Sequence, residues 1–455
     1  MSTLLVRNAT ILVTMDAARR ELRNAGLFAQ DGIIIQVGPD ETLPREADHV
    51  LDATDQILLP GMVNCHHHLD QVLTRNIKAG QNAELFHWLL AHYPVWAKRT
   101  PEGSRTATLI GLAELALSGC TTVFDHAYFF RNGCKVDDQI GAAAEIGMRF
   151  MVSRGSMSRG QSQGGLPPDN CVEAEPDILA DCERVIARYH DTAPGAMLRI
   201  VLAPCAPFTV SENLLRDSAT LARAHHLRLH THLCETRDEE DYTMRHFGVR
   251  PIDYMRELGW LDADVWFAHA VHVNDAEIGL LAHTGTGICH CPSSNMRLAS
   301  GIAPLRKYMQ AGVHVGLGVD GAASNDGSNM LAEARQAMLL ARLNMAVEPE
   351  AQRIWTSARD VLEIATRGGA AVLGRDDIGA LEPGKCADFF TIDLNSIGYA
   401  GGLSDPVAAT MFCAPARARH TYVHGRPVVT DGQIVTTDMS RVIHDHNRHA
   451  AALLA

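Results

Sequence analysis

The stretch PGMVNCHHHLDQ, Pro60 to Gln71, ends an apolar run on three adjacent histidines, His66, His67 and His68. In a strand, successive side chains point to opposite faces, so His66 and His68 share one face and His67 takes the other. At most two of the three can serve one site. An H-x-H pair closing an apolar strand is a metal anchor only if other polar residues converge on it, because 23 histidines make chance pairs common.

Outward from this stretch, short apolar runs alternate with longer segments of helical periodicity, the pattern of repeated βα units. Eight runs read as strands: ILLPGMVNCHH, TTVFDHAY, MRFMVSRG, LRIVLAPC, LRLHTHLCE, VWFAHAVH, TGICHCP and HVGLGVDG. Eight such units predict an α/β chain with a (β/α)8 TIM-type barrel, whose sites lie at the C-terminal strand ends. The two ends of the chain read differently, as hairpins with turn signals at Asp31-Gly32, His424-Gly425 and Asp431-Gly432. Neither end is large enough to close a sandwich alone. The expected division is therefore residues 1–57 plus 379–443 as a composite β-sandwich domain, residues 58–378 as the catalytic barrel, and residues 444–455 as a C-terminal tail helix. The Gly-, Ser- and Pro-rich segment GSMSRGQSQGGLPPDN, residues 155–170, reads as an irregular loop at the barrel mouth, a lid or a passive surface loop.

Across 455 residues, 40 Lys and Arg stand against 53 Asp and Glu, a formal net charge of −13. This argues against nucleic acid or an acidic membrane surface as a partner. The N-terminus lacks a cationic segment followed by a long apolar one, and no apolar run approaches membrane-spanning length, so a cytoplasmic protein is expected. The 11 cysteines are scattered without a C-x-x-C pair and read as small core residues rather than a disulfide framework. A homo-oligomer is the base-rate expectation for a soluble enzyme.

Three further strand ends carry ligand-type residues. In LRLHTHLCE, His232 lies near the strand's end and Glu235 follows three positions later, a spacing at which a metal ligand and a proton-handling carboxyl group could face one water. His230 is also inward by parity. WFAHAVH offers His269 and His272, and GVHVGLGVDGAASND places Asp320 at the end of an apolar strand, where a carboxylate is rare unless paired, metal-bound or capping a helix. Chance explains any one of these more easily than all of them at one face of a barrel.

Together these motifs resemble the amidohydrolase superfamily, specifically its cytosine and guanine deaminase-like, chlorohydrolase-like branch. The resemblance runs through LLVRNATILVTM, LPGMVNCHHH, HTHLCETRDEE, AHAVH, SSNMRLASGIAPL, GLGVDGAASND, ATRGGAAVLGRDDIGALEPGKCADF and VHGRPVV, nearly the whole chain. It implies one divalent metal ion per chain, zinc or alternatively iron, held by His66, His68, His232 and Asp320. It also implies Glu235 as proton shuttle, and His269 and Asp320 as the groups that receive the proton of the hydrolytic water. His67 and His272 match no ligand position. The implied activity is hydrolytic deamination of an aminated purine or related heterocycle. The expected reaction is 8-oxoguanine plus water to urate plus ammonia, with isocytosine and guanine as weaker substrates. By position in the resemblance, Gln71, Trp88 and Cys205 are substrate-pocket candidates; a surface amide, a core aromatic and a core thiol are the structural readings of the same residues.

Other readings on the same fold are a hydroxyatrazine-type triazine aminohydrolase, a binuclear cyclic amidase and a non-catalytic scaffold. The amidase needs a bridging lysine from the fourth strand, and LRIVLAPCAPF has none. Neither H-E-x-x-H nor P-C-x-x-C occurs, which sets aside those two zinc signatures.

Overall fold

The computed structural model describes residues 1–343, 345, 354–413 and 417–455. The N-terminal part forms β1 (Thr3–Val13), β2 (Glu21–Gln30), β3 (Ile33–Pro39), β4 (His49–Asp52) and β5 (Gln56–Pro60). Then come β6 (Met62–Asn64), β7 (Cys120–Asp125), β8 (Arg149–Ser156), β9 (Leu198–Pro204), β10 (Arg228–Leu233), β11 (Val265–His269), β12 (Gly287–His290) and β13 (Val315–Leu317). The C-terminal part adds β14 (Phe389–Asp393), β15 (His420–Val423), β16 (Arg426–Thr430) and β17 (Gln433–Ile434).

Strands β6 to β13 form a closed parallel barrel, sealed where β13 pairs with β6 and β9 with β10. Each falls on one of the eight expected runs, β7 starting one residue before its run and β8 ending one residue after its own. The terminal strands form a separate sheet in the order β17-β16-β15-β14-β5-β1-β2-β3, with β4 added beside β1. Both chain ends thus build one β domain on a TIM-type barrel. The hairpins fall at the expected turns: Asp31 and Gly32, His424 and Gly425, and Asp431 and Gly432 all have positive φ, as tight hairpin turns require.

One expected strand is two. The run over residues 57–67 divides at Gly61: β5 pairs with β14 and β1 in the terminal sheet, whereas β6 pairs with β7 and β13 in the barrel. Every residue of both strands is buried, so hydrophobicity alone does not separate them. Gly61 does, because a Cβ there would stand 2.0 Å from Thr121 Oγ1, and its N–H binds Asp388 O. The chain passes from sheet to barrel only where it has no side chain.

Inward-facing residues such as Phe124, Met151, Val201 and Trp266 fill the barrel, and its outer face packs on the surrounding helices. The N-terminal mouth is closed by the segment around Gly368 and Gly369, where a Cβ would meet Val315 O at 2.3 Å and Val63 Cβ at 2.8 Å. At the other mouth, segment 155–170 finishes β8 and then runs as a loop with two 3-10 turns. Its backbone is tied to the loop after β9, Arg159 N to Thr209 O at 2.9 Å and Leu166 N to Phe208 O at 3.1 Å. The last helix, Met439–Leu454, starts on Asp438, whose carboxylate accepts from the backbone of Ser440 and Arg441, so it takes in five residues ahead of position 444. No helix among the described residues is long and apolar enough to cross a membrane.

Candidate metal centre and active site

Five strand ends, those of β6, β7, β10, β11 and β13, aim polar side chains at one point in the C-terminal mouth. His66 and His68 follow β6 and turn inward, while His67 faces the other way, toward Ser328 Oγ at 3.0 Å. His272 also lies outside the cluster, its Nε2 on Ser300 O at 2.7 Å.

Carbonyl oxygens only accept, so they identify where the imidazole protons sit. His68 Nδ1 donates to His126 O at 2.8 Å and His232 Nδ1 to Cys205 O at 2.7 Å. Both Nε2 atoms therefore carry lone pairs, yet they stand 3.1 Å apart. One layer deeper, His230 Nδ1 donates to Trp266 O at 3.0 Å, which leaves its Nε2 to accept from His66 Nδ1 at 2.9 Å. His66 Nε2 is thus a third lone pair, buried and without a hydrogen-bond donor. It lies 3.3 Å from Asp320 Oδ1, and His68 Nε2 lies 3.4 Å from the same oxygen.

Three imidazole lone pairs and a carboxylate in mutual contact repel one another unless a cation lies among them. Neutral imidazoles with one carboxylate suit zinc, and Nδ1–H bonds to carbonyls are the usual support of such ligands. Burial holds His66, His68, His230 and His232 below the ordinary histidine range, His68 down to about 3, so they remain neutral donors. Burial by itself acts to raise the Asp320 carboxyl, and donors other than the neutral imidazoles support its charge. Ser324 Oγ and Gly321 N donate to its two oxygens, at 3.0 and 2.7 Å.

Among the described residues two sets of donor atoms, each within 4.8 Å of one another, could hold an ion. They share His66 and His232; one adds His68 and His126, the other His269 and Asp320. His126, after β7, was not singled out from the sequence. Its Nε2 donates to Ala203 O at 2.9 Å and its Nδ1 is buried without a partner. The signal was present as Asp125-His126 closing the run TTVFDHAY, the same strand-end position that marks Asp320.

Glu235, two residues past β10, is fully buried, and burial pushes its carboxyl up to about 7. Its Oε2 lies 3.5 Å from His269 Nε2, and His269 is turned by a 2.9 Å bond from Nδ1 to Asn295 Oδ1. That bond to Nδ1 leaves His269 Nε2 aimed at Glu235. Cys234, His269, Ala270 and Asp320 all have φ between 45° and 71°, rare for residues with a side chain. The strand ends are bent to aim these groups.

Gln71, Trp88 and Cys205 line the cavity above the cluster, together with Tyr93 and Tyr128. Trp88 Nε1 donates to Ala323 O at 3.3 Å, which fixes its ring. Tyr93 shares a face of the helix Leu85–Trp96 with Leu85 and Leu89, a spacing that the sequence could have yielded. Gln71 Oε1 and Tyr93 Oη are buried without partners, polar atoms that a bound ligand would satisfy. A Cβ on Gly321 would stand 1.8 Å from Gln71 Oε1, so the missing side chain beside Asp320 makes room for that amide.

A barrel with such a histidine and aspartate cluster at its C-terminal mouth, beside a buried carboxyl group, has the architecture of a metal-dependent hydrolase. Residues 57–428 match the model of the amidohydrolase family; the chain belongs to that family and is a hydrolase acting on carbon–nitrogen bonds. It is 47% identical to an 8-oxoguanine deaminase of Pseudomonas aeruginosa over the full length of both chains. It is 37% identical to a hydroxydechloroatrazine ethylaminohydrolase of Pseudomonas sp. (strain ADP), covering 96% of this chain and 93% of that one. Among solved structures it is similar to the atrazine chlorohydrolase of Arthrobacter aurescens TC1 complexed with zinc, at 34% identity and a TM-score of 0.93, covering 99% of this chain and 100% of that one.

Proposed function

We propose that the protein is a metal-dependent hydrolytic deaminase of aminated purines, converting 8-oxoguanine and water to urate and ammonia. The observation that carries the reading is the meeting of three imidazole lone pairs and Asp320 beside a buried carboxyl group, Glu235. The 8-oxoguanine deaminase at 47% identity supports the substrate.

In this reading one divalent ion per chain, zinc, is held by His66, His68, His232 and Asp320. Asp320 is preferred to His126 because it is the only anionic donor in the cluster and stands within 3.4 Å of two lone pairs. When bound, the ion lowers the pKa of a water from about 15.7 toward about 7 and supplies a nucleophile at neutral pH. Asp320 and His269 receive one proton of the water as its oxygen bonds to C2, the ring carbon bearing the amino group. Glu235 gives its proton to the adjacent ring nitrogen, so negative charge does not build up there. It then takes the remaining hydroxyl proton as the C2 carbonyl forms and hands it to the departing amine. The proton held by Asp320 and His269 restores Glu235. Gln71 hydrogen-bonds the planar edge of the ring, Trp88 forms an aromatic wall, and the Cys205 thiol leaves room at the ring.

The test is metal-loaded protein assayed for ammonia or alkylamine release from 8-oxoguanine, guanine, isocytosine, isoxanthopterin and hydroxyatrazine. The highest kcat/KM is expected on 8-oxoguanine. Faster release of ethylamine from hydroxyatrazine would overturn the substrate, and absence of amine release from all five would overturn the enzyme reading.

A further inference from the structure

The opposite mouth of the barrel holds a second cavity, of about 380 Å³, between the N-terminal ends of β8, β9 and β10 and the segment that closes that mouth. Small-molecule sites span about 300–1,000 Å³. Three arginines line it, Arg199, Arg223 and Arg228, against one carboxylate, Asp264. Asp264 is taken by Arg223, which it binds at 2.9 and 3.2 Å. Among the described residues Arg199 has only two hydrogen bonds, to Gly374 O and Thr192 O, both at 3.5 Å and at the limit of such a bond. Arg228 has no hydrogen bond among the described residues and lies over the Trp266 ring at 5.8 Å. Both Nε atoms are buried without partners, as is Nε2 of His190 on the same wall.

This is costly for a cation. Burial pushes Arg228 down to about 10, and burial together with Arg375 lowers Arg199. At neutral pH both stay charged, and no carboxylate compensates them fully: the neighbouring Asp377 is bound by both its oxygens to Arg375 and by one to Gly195 N. The fully buried Arg149, by contrast, binds Asp388 at 2.9 and 3.0 Å. Two forked donors lining one cavity suit the charge of a phosphate dianion, which guanidinium groups bind in pairs of bonds.

We propose that this cavity is a binding site for a phosphate monoester, with Arg199 and Arg228 as its principal donors and the apolar wall of Met151, Ile200 and Leu373 against the organic part of the ligand. The site lies at the face opposite the catalytic cluster and does not depend on the identity of the substrate.

The experiment is calorimetric unfolding and titration of the metal-loaded enzyme with inorganic phosphate and with adenosine monophosphate, against sodium chloride at equal ionic strength. Phosphate is expected to raise Tm saturably beyond chloride, and adenosine monophosphate to bind more tightly than phosphate. Arg228→Met and Arg199→Met, each keeping apolar bulk, should weaken phosphate binding by about tenfold or more, the loss of one charge-assisted bond. Without phosphate, neither variant should unfold earlier than the wild type, because each removes an uncompensated charge. Should one variant fail to fold, the other carries the same reading. The site is overturned if phosphate does no more than chloride, or if its effect survives in both variants, which would place the anion at the catalytic centre. Equal binding of phosphate and the nucleotide would overturn the monoester and leave free phosphate as the ligand.

Discussion

Strand β10 shows both ends of the barrel in six residues. Arg228, His230 and His232 alternate with Leu229 and Thr231, so all three face the barrel interior. At the bottom Arg228 is a cation with no hydrogen bond among the described residues; at the top His232 is a lone pair facing other lone pairs. His230, between them, accepts from His66 and donates to Trp266 O, so it is satisfied on both sides. The two mouths therefore carry opposite deficits, one for positive and one for negative charge. The lesson is that unsatisfied groups mark a site more reliably than residue type: the chain has 23 histidines, but only those at one mouth converge through lone pairs.

The strongest test of the upper deficit removes a lone pair. His66→Ala and His68→Ala should each lose bound metal and cut kcat/KM by at least about 10³-fold, whereas His67→Gln should keep metal, as read by elemental analysis and turnover of the same preparations. If His67→Gln lost metal while His68→Ala kept it, the assignment by strand parity would fail. Glu235→Gln, which adds no charge and leaves the cluster intact, should retain metal but lower kcat by about 10²–10⁴-fold, the range for general acid catalysis. Retained turnover would remove Glu235 from proton transfer.

A smaller effect is expected from Gly321→Ala, whose backbone tolerates a side chain and whose new methyl group meets the Gln71 amide first. KM should rise about tenfold with metal content unchanged; an unchanged KM would show that Gln71 does not touch the substrate. The smallest test concerns stability. Burial raises Glu239 to about 8 and Glu235 to about 7, so the folded chain binds protons more tightly than the unfolded chain between about pH 4.5 and pH 8. That contribution is fully present below the unfolded pKa and is lost as pH rises through the folded one, so Tm should fall from pH 5 to pH 8. Glu239→Gln should flatten the slope.

Much of this architecture is legible along the chain. The runs that become β7 to β13 and the three hairpin turns depend on local periodicity and on residues that accept positive φ, and both are properties of neighbouring residues. The places where sequence reading stops share a cause. The run over residues 57–67 is equally apolar on both sides of Gly61, and only the nearby Thr121 shows why the chain must switch sheets there. His126 and Tyr93 have no chemical signal stronger than that of many other residues of their type, and their meaning comes from atoms left without partners.

By itself, the sequence determined which chemistry was on offer: an H-x-H pair on one face, a carboxyl group three residues after a strand-end histidine, and an aspartate closing an apolar strand. Parity and strand ends are set within a few residues of the chain, so they can be read there. Only the tertiary structure decided which lone pairs meet and which charges go unpaired. His66 and His230 are 164 positions apart, as are His68 and His232, and closure of the barrel brings each pair within 3.1 Å. The same closure gathers Arg199 and Arg228 around one cavity, where their Nε atoms are buried without partners.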